Sequence, residues 1–233
     1  MSKASFFDFD AEYGNKYEVT IRKILPAYDN LYVAMNALLQ NQLREKAFVL
    51  IVGAGGGKEL LTFGGNNPKW NFTGVDISEQ MMHHAKRKIA GSDIESRTSL
   101  HVGQLQDLEK TRQYDGATCI LVMHFVPDDG AKESLLRNIA SRLKPGAPLL
   151  LVDINGDPQS EEFQIYFHAL KRKLSLSNSM SDQEAESVLR HALNEMHFCT
   201  RARMNELMTL TGFSTQYHFF ADLQFDGWLA IRN

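Results

Sequence analysis

Three groups of residues in this chain have types and spacing suited to chemistry. The first is Gly53-Ala54-Gly55-Gly56-Gly57, directly after the apolar run Phe48-Val49-Leu50-Ile51-Val52. Glycines there let the backbone turn sharply and bring its N–H groups against a ligand, close to the start of a helix expected over Lys58 to Phe63. The second is Asp76, 23 residues beyond Gly53, an acid that ends a second strand-like stretch. The third is a set of proton-transfer candidates. His124 and Asp153 each follow an apolar run that reads as a strand, and His168 and His191 lie further along.

Counting separates the ligands such a glycine turn can serve. A phosphate-cradling NTPase loop needs Gly, four residues, Gly, Lys and then Ser or Thr. Here Val52 stands at the first glycine position and Glu59 where the metal-binding hydroxyl belongs. A dinucleotide fingerprint begun at Gly53 puts Lys58 at its third glycine, where close helix–strand packing calls for a small residue. The remaining pattern, Gly53-x-Gly55-x-Gly57, suits a ligand carrying an adenosine and an amino-acid tail.

The elements that must position these groups follow a regular rhythm from Phe48 onward. Strands are expected at 48–52, 71–76, 100–103, 116–122 and 148–153, alternating with helices at 58–63, 78–90 (Ser78 as cap) and 132–143. That alternation predicts a parallel α/β sheet with helices on both faces, and ligands in such sheets bind beyond the carboxyl ends of the strands. A helix at 203–210 and two late strands, 217–220 and 227–231, read as a closing helix and antiparallel hairpin. Before this unit, residues 1–46 read as an N-terminal helical cap. Its helix over Glu18 to Leu25 is stopped by Pro26, and Asp29-Asn30 cap the next helix. Tyr28 falls in the break between them, where a side chain is free to face a pocket. Residues 156–203 interrupt the rhythm as a polar helical lid insertion. It carries the runs Lys171-Arg172-Lys173-Leu174-Ser175 and Ser177-Asn178-Ser179-Met180-Ser181-Asp182. The organisation is thus 1–46, then 47–155 with 204–233, with 156–203 inserted.

Composition sets limits on partners. A net charge of −3 gives no general polyanion signal, and Lys171-Arg172-Lys173 is only a small basic patch. Cys119 and Cys199 have no metal-type spacing, no Cys/His/acid cluster has ligand spacing, and neither a metal nor a disulfide is expected. No apolar run approaches the roughly 18 residues that cross a bilayer, so the expectation is a soluble, cytoplasmic monomer or homodimer.

On these residues the chain resembles the class I S-adenosylmethionine-dependent methyltransferases over roughly residues 47–233. Gly53 to Gly57 look like the family's first motif, Leu143-Lys144-Pro145-Gly146 like the turn before its fifth strand, and Gly212-Phe213 with the terminal hairpin like its ending. The resemblance implies a Rossmann-like seven-stranded, mostly parallel sheet with an antiparallel last strand. S-adenosylmethionine is then the cofactor, with S-adenosylhomocysteine as product. It further implies that Gly53, Ala54, Gly55 and Gly57 lie along the methionine part, Asp76 and Ile77 at the ribose, and Gln104 at the adenine amine. Two departures stand out. Ile51 occupies a position that is usually acidic in the family, and His124-Phe125 replaces any Asn/Asp-Pro-Pro-Tyr signature of amide or base N-methylation.

Weaker similarity extends to the carboxy-S-adenosylmethionine synthases, which act in tRNA modification. It rests on Pro26-Ala27-Tyr28-Asp29-Asn30, His124-Phe125 before Pro127, Lys144-Pro145-Gly146 and the Trp228-Leu229-Ala230 ending. This implies Tyr28 at the cofactor and an arginine of the insertion, near Arg190, at an extra carboxylate. The function expected is methyl transfer to the oxygen or nitrogen of a small-molecule acceptor. The acceptor lies under the lid with His124 or Asp153 as base, and Tyr28, His168 and Arg190 line its site. A tRNA-modification enzyme of the synthase type and a non-catalytic cofactor-binding module remain the alternatives.

Overall fold

A computed structural model of the chain describes residues 5–110, 112–176 and 180–233. Residues 177–179 of the hydroxylated run and residues 1–4 lie outside the described residues. The first strand, β1 (Ala47–Val52), is buried along its last four residues. Its side chains alternate between two cores. Val49 and Ile51 face one, Leu50 and Val52 the other, and β-strand geometry requires that alternation.

Six further strands extend the sheet: β2 (Trp70–Asp76), β3 (Thr98–Val102), β4 (Gly116–Ile120), β5 (Pro148–Ile154), β6 (Thr215–Asp222) and β7 (Phe225–Ile231). Their order is β3-β2-β1-β4-β5-β7-β6. The first five strands pair in parallel, and β7 runs antiparallel between β5 and β6, joining them as the expected hairpin. The expected fold class, a mostly parallel Rossmann-like sheet with an antiparallel last strand, is the one observed. Fully burying each Val, Leu or Ile of β1 is worth about 1.5–3 kcal/mol, which makes this strand the anchor for the loop that follows it.

Helices cover both faces. On the Val49 face lie α1 (Glu12–Ile24), α2 (Tyr28–Gln42), α3 (Lys58–Asn66), α4 (Glu79–Ile89), α6 (Glu161–Leu176) and α7 (Asp182–Glu195). On the Leu50 face lie α5 (Ala131–Ala140) and α8 (Arg201–Leu210). The N-terminal helices and the inserted pair α6–α7 therefore share one core with the sheet: Ile21, Leu31, Leu170, Leu174, Ala185 and Leu189 all belong to it. Among the described residues, no helix is long and apolar enough to cross a membrane.

Two local expectations are corrected. α1 begins at Glu12, six residues before the expected Glu18, because Tyr13 and Tyr17 lie one helical turn apart and both pack on Phe9. α2 begins at Tyr28 with Ala27 at the cap position and no side-chain cap. Asp29 does not cap it, because its carboxylate takes Arg22 and Lys58 instead. Ser78, by contrast, caps α4 as expected, its hydroxyl accepting from the Met81 N–H at 3.1 Å.

Candidate functional site

β1 sends its chain to β2 on one side while β4 lies on the other, so the crevice at the carboxyl ends of β1 and β4 is the topological switch point. The glycine loop sits at this point. Gly53 and Ala54 both donate to the Val75 carbonyl, at 2.8 and 3.0 Å, which folds the loop back over β2. Gly53, Gly55 and Gly57 have φ of +74°, +47° and +79°, the left-handed region that disfavours side chains. Space forbids them too. A Cβ on Gly53 would lie 2.2 Å from Val122 Cγ2, and one on Gly57 would lie 3.0 Å from the Ala85 Cα.

Asp76 closes the loop from the end of β2. One carboxylate oxygen accepts from the Gly55 N–H at 2.7 Å and the other from the Ser78 N–H at 2.9 Å, and each oxygen keeps a lone pair. Burial pushes this carboxyl above its usual range, against the two backbone N–H bonds, which lower it. Ile77 beside it is 75% exposed, an apolar side chain with nothing packed over it. Gln104, at the end of β3, is exposed close by, since Gly103 donates to the Asp76 carbonyl; its own side-chain oxygen accepts from Gln106.

Behind the loop, Tyr28 is buried rather than poised in a break, and its hydroxyl lies 3.3 Å from that of Tyr32. Both hydroxyls, and that of Tyr17, are pushed up chiefly by burial, and the Glu59 carboxylate adds to the shift in all three. Glu59 itself, in the first turn of α3, is 3% exposed. Burial raises its carboxyl to about 8. Neither Glu59 nor Tyr17 carries a role by sequence alone: Glu59 falls at an expected helix start and Tyr17 is one of the many N-terminal aromatics, just before the helix expected from Glu18. Only their convergence in space singles them out.

The two proton-transfer candidates meet across the crevice. β4 is followed by Leu121, a non-glycine residue with φ of +57°, and the short turn Met123–Phe125 then carries His124 inward. His124 Nδ1 is hydrogen-bonded to the Asp153 carboxylate near the end of β5. The pair is buried, at 5% and 1% exposure, and the other Asp153 contact to the same oxygen is from the Ile154 N–H at 2.9 Å. His124 Nε2 has no hydrogen-bond partner among the described residues. Lys132 pins the turn from α5: its ammonium donates to the carbonyls of Met123, Val126 and His197 at 2.5, 2.7 and 2.9 Å. The circle is completed by the His197 N–H, which donates to the His124 carbonyl.

Phe125 lies 4.2 Å from the His124 ring between centroids, and rings from the N-terminal segment pack on Phe125 in turn. Phe7 and Phe9 meet Phe125 at 6.0 and 5.4 Å between centroids. The segment is tied down at both ends. Phe6 stacks on His191 and donates its N–H to Glu195 of α7, while Asp10 accepts from the Ser78 hydroxyl and the Gln80 N–H of α4. His168 and Arg190 are not brought to the crevice. Both are exposed, and His168 Nδ1 bonds the Gln164 carbonyl of its own helix. No cluster of His, Cys, Asp or Glu among the described residues can hold a metal ion.

A family profile described as a methyltransferase domain matches residues 50–149, which include the glycine loop, Asp76, Gln104 and His124. This match, with the sheet order and the glycine loop, supports class I S-adenosylmethionine-dependent methyltransferase as the family of the chain. The "Ubiquinone biosynthesis O-methyltransferase" of Marinobacter nauticus is 33% identical over 138 residues, covering 56% of this chain and 56% of that protein. The chain thus spans little more than half the length of that curated relative. Similarity to the "Carboxy-S-adenosyl-L-methionine synthase" of Desulfotalea psychrophila is lower, 23%, but covers 98% of this chain and 93% of that protein. Among solved structures, the magnesium protoporphyrin IX methyltransferase of Synechocystis PCC 6803, determined with bound SAH, superposes with a TM-score of 0.68 at 15% identity. It covers 97% of this chain and 96% of that one, a likeness of fold.

The residues at the switch point fit the family's cofactor. The paired Asp76 oxygens suit a ribose diol, the uncovered Ile77 suits the flat face of a base, and the glycine loop brings backbone without side chains to the crevice beside them.

Proposed function

We propose that this protein is an S-adenosylmethionine-dependent O-methyltransferase acting on the hydroxyl of a small, flat, largely apolar acceptor. The observation that carries the reading is the buried His124–Asp153 dyad with a free Nε2 beside a ring of Phe7, Phe9 and Phe125. When bound, the cofactor would supply an activated methyl group for in-line transfer, with its sulfur as the leaving group, so the protein's work is positioning, water exclusion and removal of one proton.

Gly53, Ala54, Gly55 and Gly57 would hold the methionine part, with Asp76 and Ile77 at the ribose and Gln104 at the base. The acceptor would lie between the dyad and the aromatic segment, under a lid formed by the N-terminal helices α1 and α2 and the inserted helices α6 and α7, with Tyr28 behind the methionine end. As the acceptor oxygen gains its methyl group, its proton passes to His124 Nε2. Asp153 accepts from Nδ1–H, holds the ring in one orientation and stabilises the imidazolium that forms. The apolar surroundings favour a proton transfer that does not have to compete with bulk water. The test is a product screen by mass spectrometry against phenols, catechols, carboxylic acids and amines. A gain of one methyl on hydroxylated aromatics that is lost in His124→Ala supports the reading. Methylation only of amines, undiminished in that variant, overturns it.

A second reading is a carboxy-S-adenosylmethionine synthase, favoured by the full-length similarity to that enzyme. It needs a cation for the added carboxylate, whereas Arg190 is exposed on α7. The same mass spectra, read for a carboxylated cofactor, decide it.

A further inference from the structure

Glu59 is a buried carboxylate without a cation. Among the described residues its oxygens receive only its own backbone N–H, and the ammonium of the neighbouring Lys58 is committed to Asp29 at 2.6 Å. An ionised carboxylate in such a place costs several kcal/mol unless a positive group meets it, so without a partner it keeps its proton. Its place in the fold is specific. It lies two residues after Gly57 in the first turn of α3, whose Phe63 meets Tyr32 of α2 at 6.2 Å between ring centroids, within electrostatic reach of Asp76, Tyr17, Tyr28 and Tyr32. It couples also to Cys119 of β4, the strand on the far side of the switch point. β1 contributes no charge there, since Ile51 is apolar and fully buried.

On the reading that this crevice holds S-adenosylmethionine, we propose that Glu59, buried at the start of α3 directly after the glycine loop, is the counter-ion of the cofactor's α-ammonium. The arriving cation converts the protonated carboxyl into a carboxylate, and the displaced proton leaves to solvent. The buried group that is a burden in the free protein then becomes the strongest contact to the amino-acid tail. A carboxylate on α3 thereby does what an acid at position 51 of β1 could do.

The experiment is calorimetry with two ligands that share the adenosine and the sulfur. S-adenosylhomocysteine carries the ammonium, and 5′-methylthioadenosine does not. Glu59→Gln keeps the shape and removes the charge. It should weaken S-adenosylhomocysteine binding by about 10- to 100-fold and leave 5′-methylthioadenosine within about twofold of wild type. Titration in buffers of different ionisation enthalpy should also register proton release near pH 7 with S-adenosylhomocysteine in the wild type, and none in the variant. Equal affinity of wild type and variant for S-adenosylhomocysteine overturns the assignment, and so does an equal loss for both ligands, which would make Glu59 a support of the loop. Failure of the wild type to bind either ligand overturns the cofactor reading itself and this assignment with it. If Glu59→Gln does not fold, Glu59→Asp, which keeps the charge and withdraws it by one methylene, is judged on the same ratio of the two affinities.

Discussion

His124 and Asp153, 29 residues apart in sequence, are joined through Nδ1 and a carboxylate oxygen in a site from which both are almost wholly excluded from solvent. An imidazole so held has one tautomer available when neutral, with the proton on Nδ1 and the lone pair on Nε2 facing outward from the pair.

If that lone pair takes the acceptor's proton, His124→Gln should lower kcat by about 100- to 10,000-fold with S-adenosylhomocysteine affinity unchanged. Asp153→Asn should also lower kcat, because the amide can present its N–H to Nδ1 and so favour the other tautomer. The check is steady-state kinetics paired with calorimetry on each variant. Full activity in both removes the dyad from the reaction.

Lys132 acts on the dyad at one remove. Lys132→Met strands three carbonyls that it now satisfies and should destabilise the fold by about 2–4 kcal/mol, read by denaturant unfolding. Because two of those carbonyls belong to the turn that carries His124, kcat should fall more than KM rises. Lys132→Arg should restore part of the stability without all of the rate.

Asp76→Ala should weaken S-adenosylhomocysteine by about 10- to 200-fold, the equivalent of hydrogen bonds to a charged group worth about 1.5–3 kcal/mol. Asp76→Asn should fall between it and the wild type, since the amide keeps one acceptor oxygen. Calorimetry measures both.

The raised carboxyl of Glu59 predicts how stability depends on pH. The folded protein holds this proton up to about pH 8, whereas the unfolded chain releases it near 4.5. Between those values the folded state binds more protons. Stability therefore falls as pH rises through the window, by an amount on the order of a few kcal/mol. Thermal melts of the cofactor-free protein from pH 5 to pH 8.5 should show this slope, and Glu59→Gln should flatten it.

Two glycine substitutions should have opposite signs. Gly53→Ala forces a Cβ to within 2.2 Å of Val122 at a φ of +74° and should cost about 1–3 kcal/mol. Gly65→Ala lies inside α3 with nothing within 4 Å of the new methyl and should stabilise by about 0.5–1 kcal/mol. Paired melts of the two variants test the contrast.

Much of this architecture was legible in the chain because its signals are local. An apolar run followed by glycines at 53, 55 and 57, an acid at 76, Ser78 before a helix, and strands alternating with helices each depend on residues within one or two turns of one another. Backbone sterics and hydrophobic periodicity act at that range, so the strand count, the loop and the switch-point crevice all follow from them. Where the reading slipped, a distant partner intervened. Asp29 was drawn from the cap of α2 by Arg22 and Lys58, and Phe9 extended α1 to Glu12.

The sequence by itself determined an α/β methyltransferase-type sheet with an adenosine-suited glycine turn, since those features are properties of short segments. Only the tertiary structure decided which side chains act together. It joined His124 to Asp153, seated Lys132 beneath their turn, left His168 and Arg190 in solvent, and enclosed Glu59 without a cation. The physical reason is that burial and electrostatic pairing are set by groups far apart along the chain. A carboxylate's charge, and therefore its chemistry, is fixed by what surrounds it and not by what precedes it.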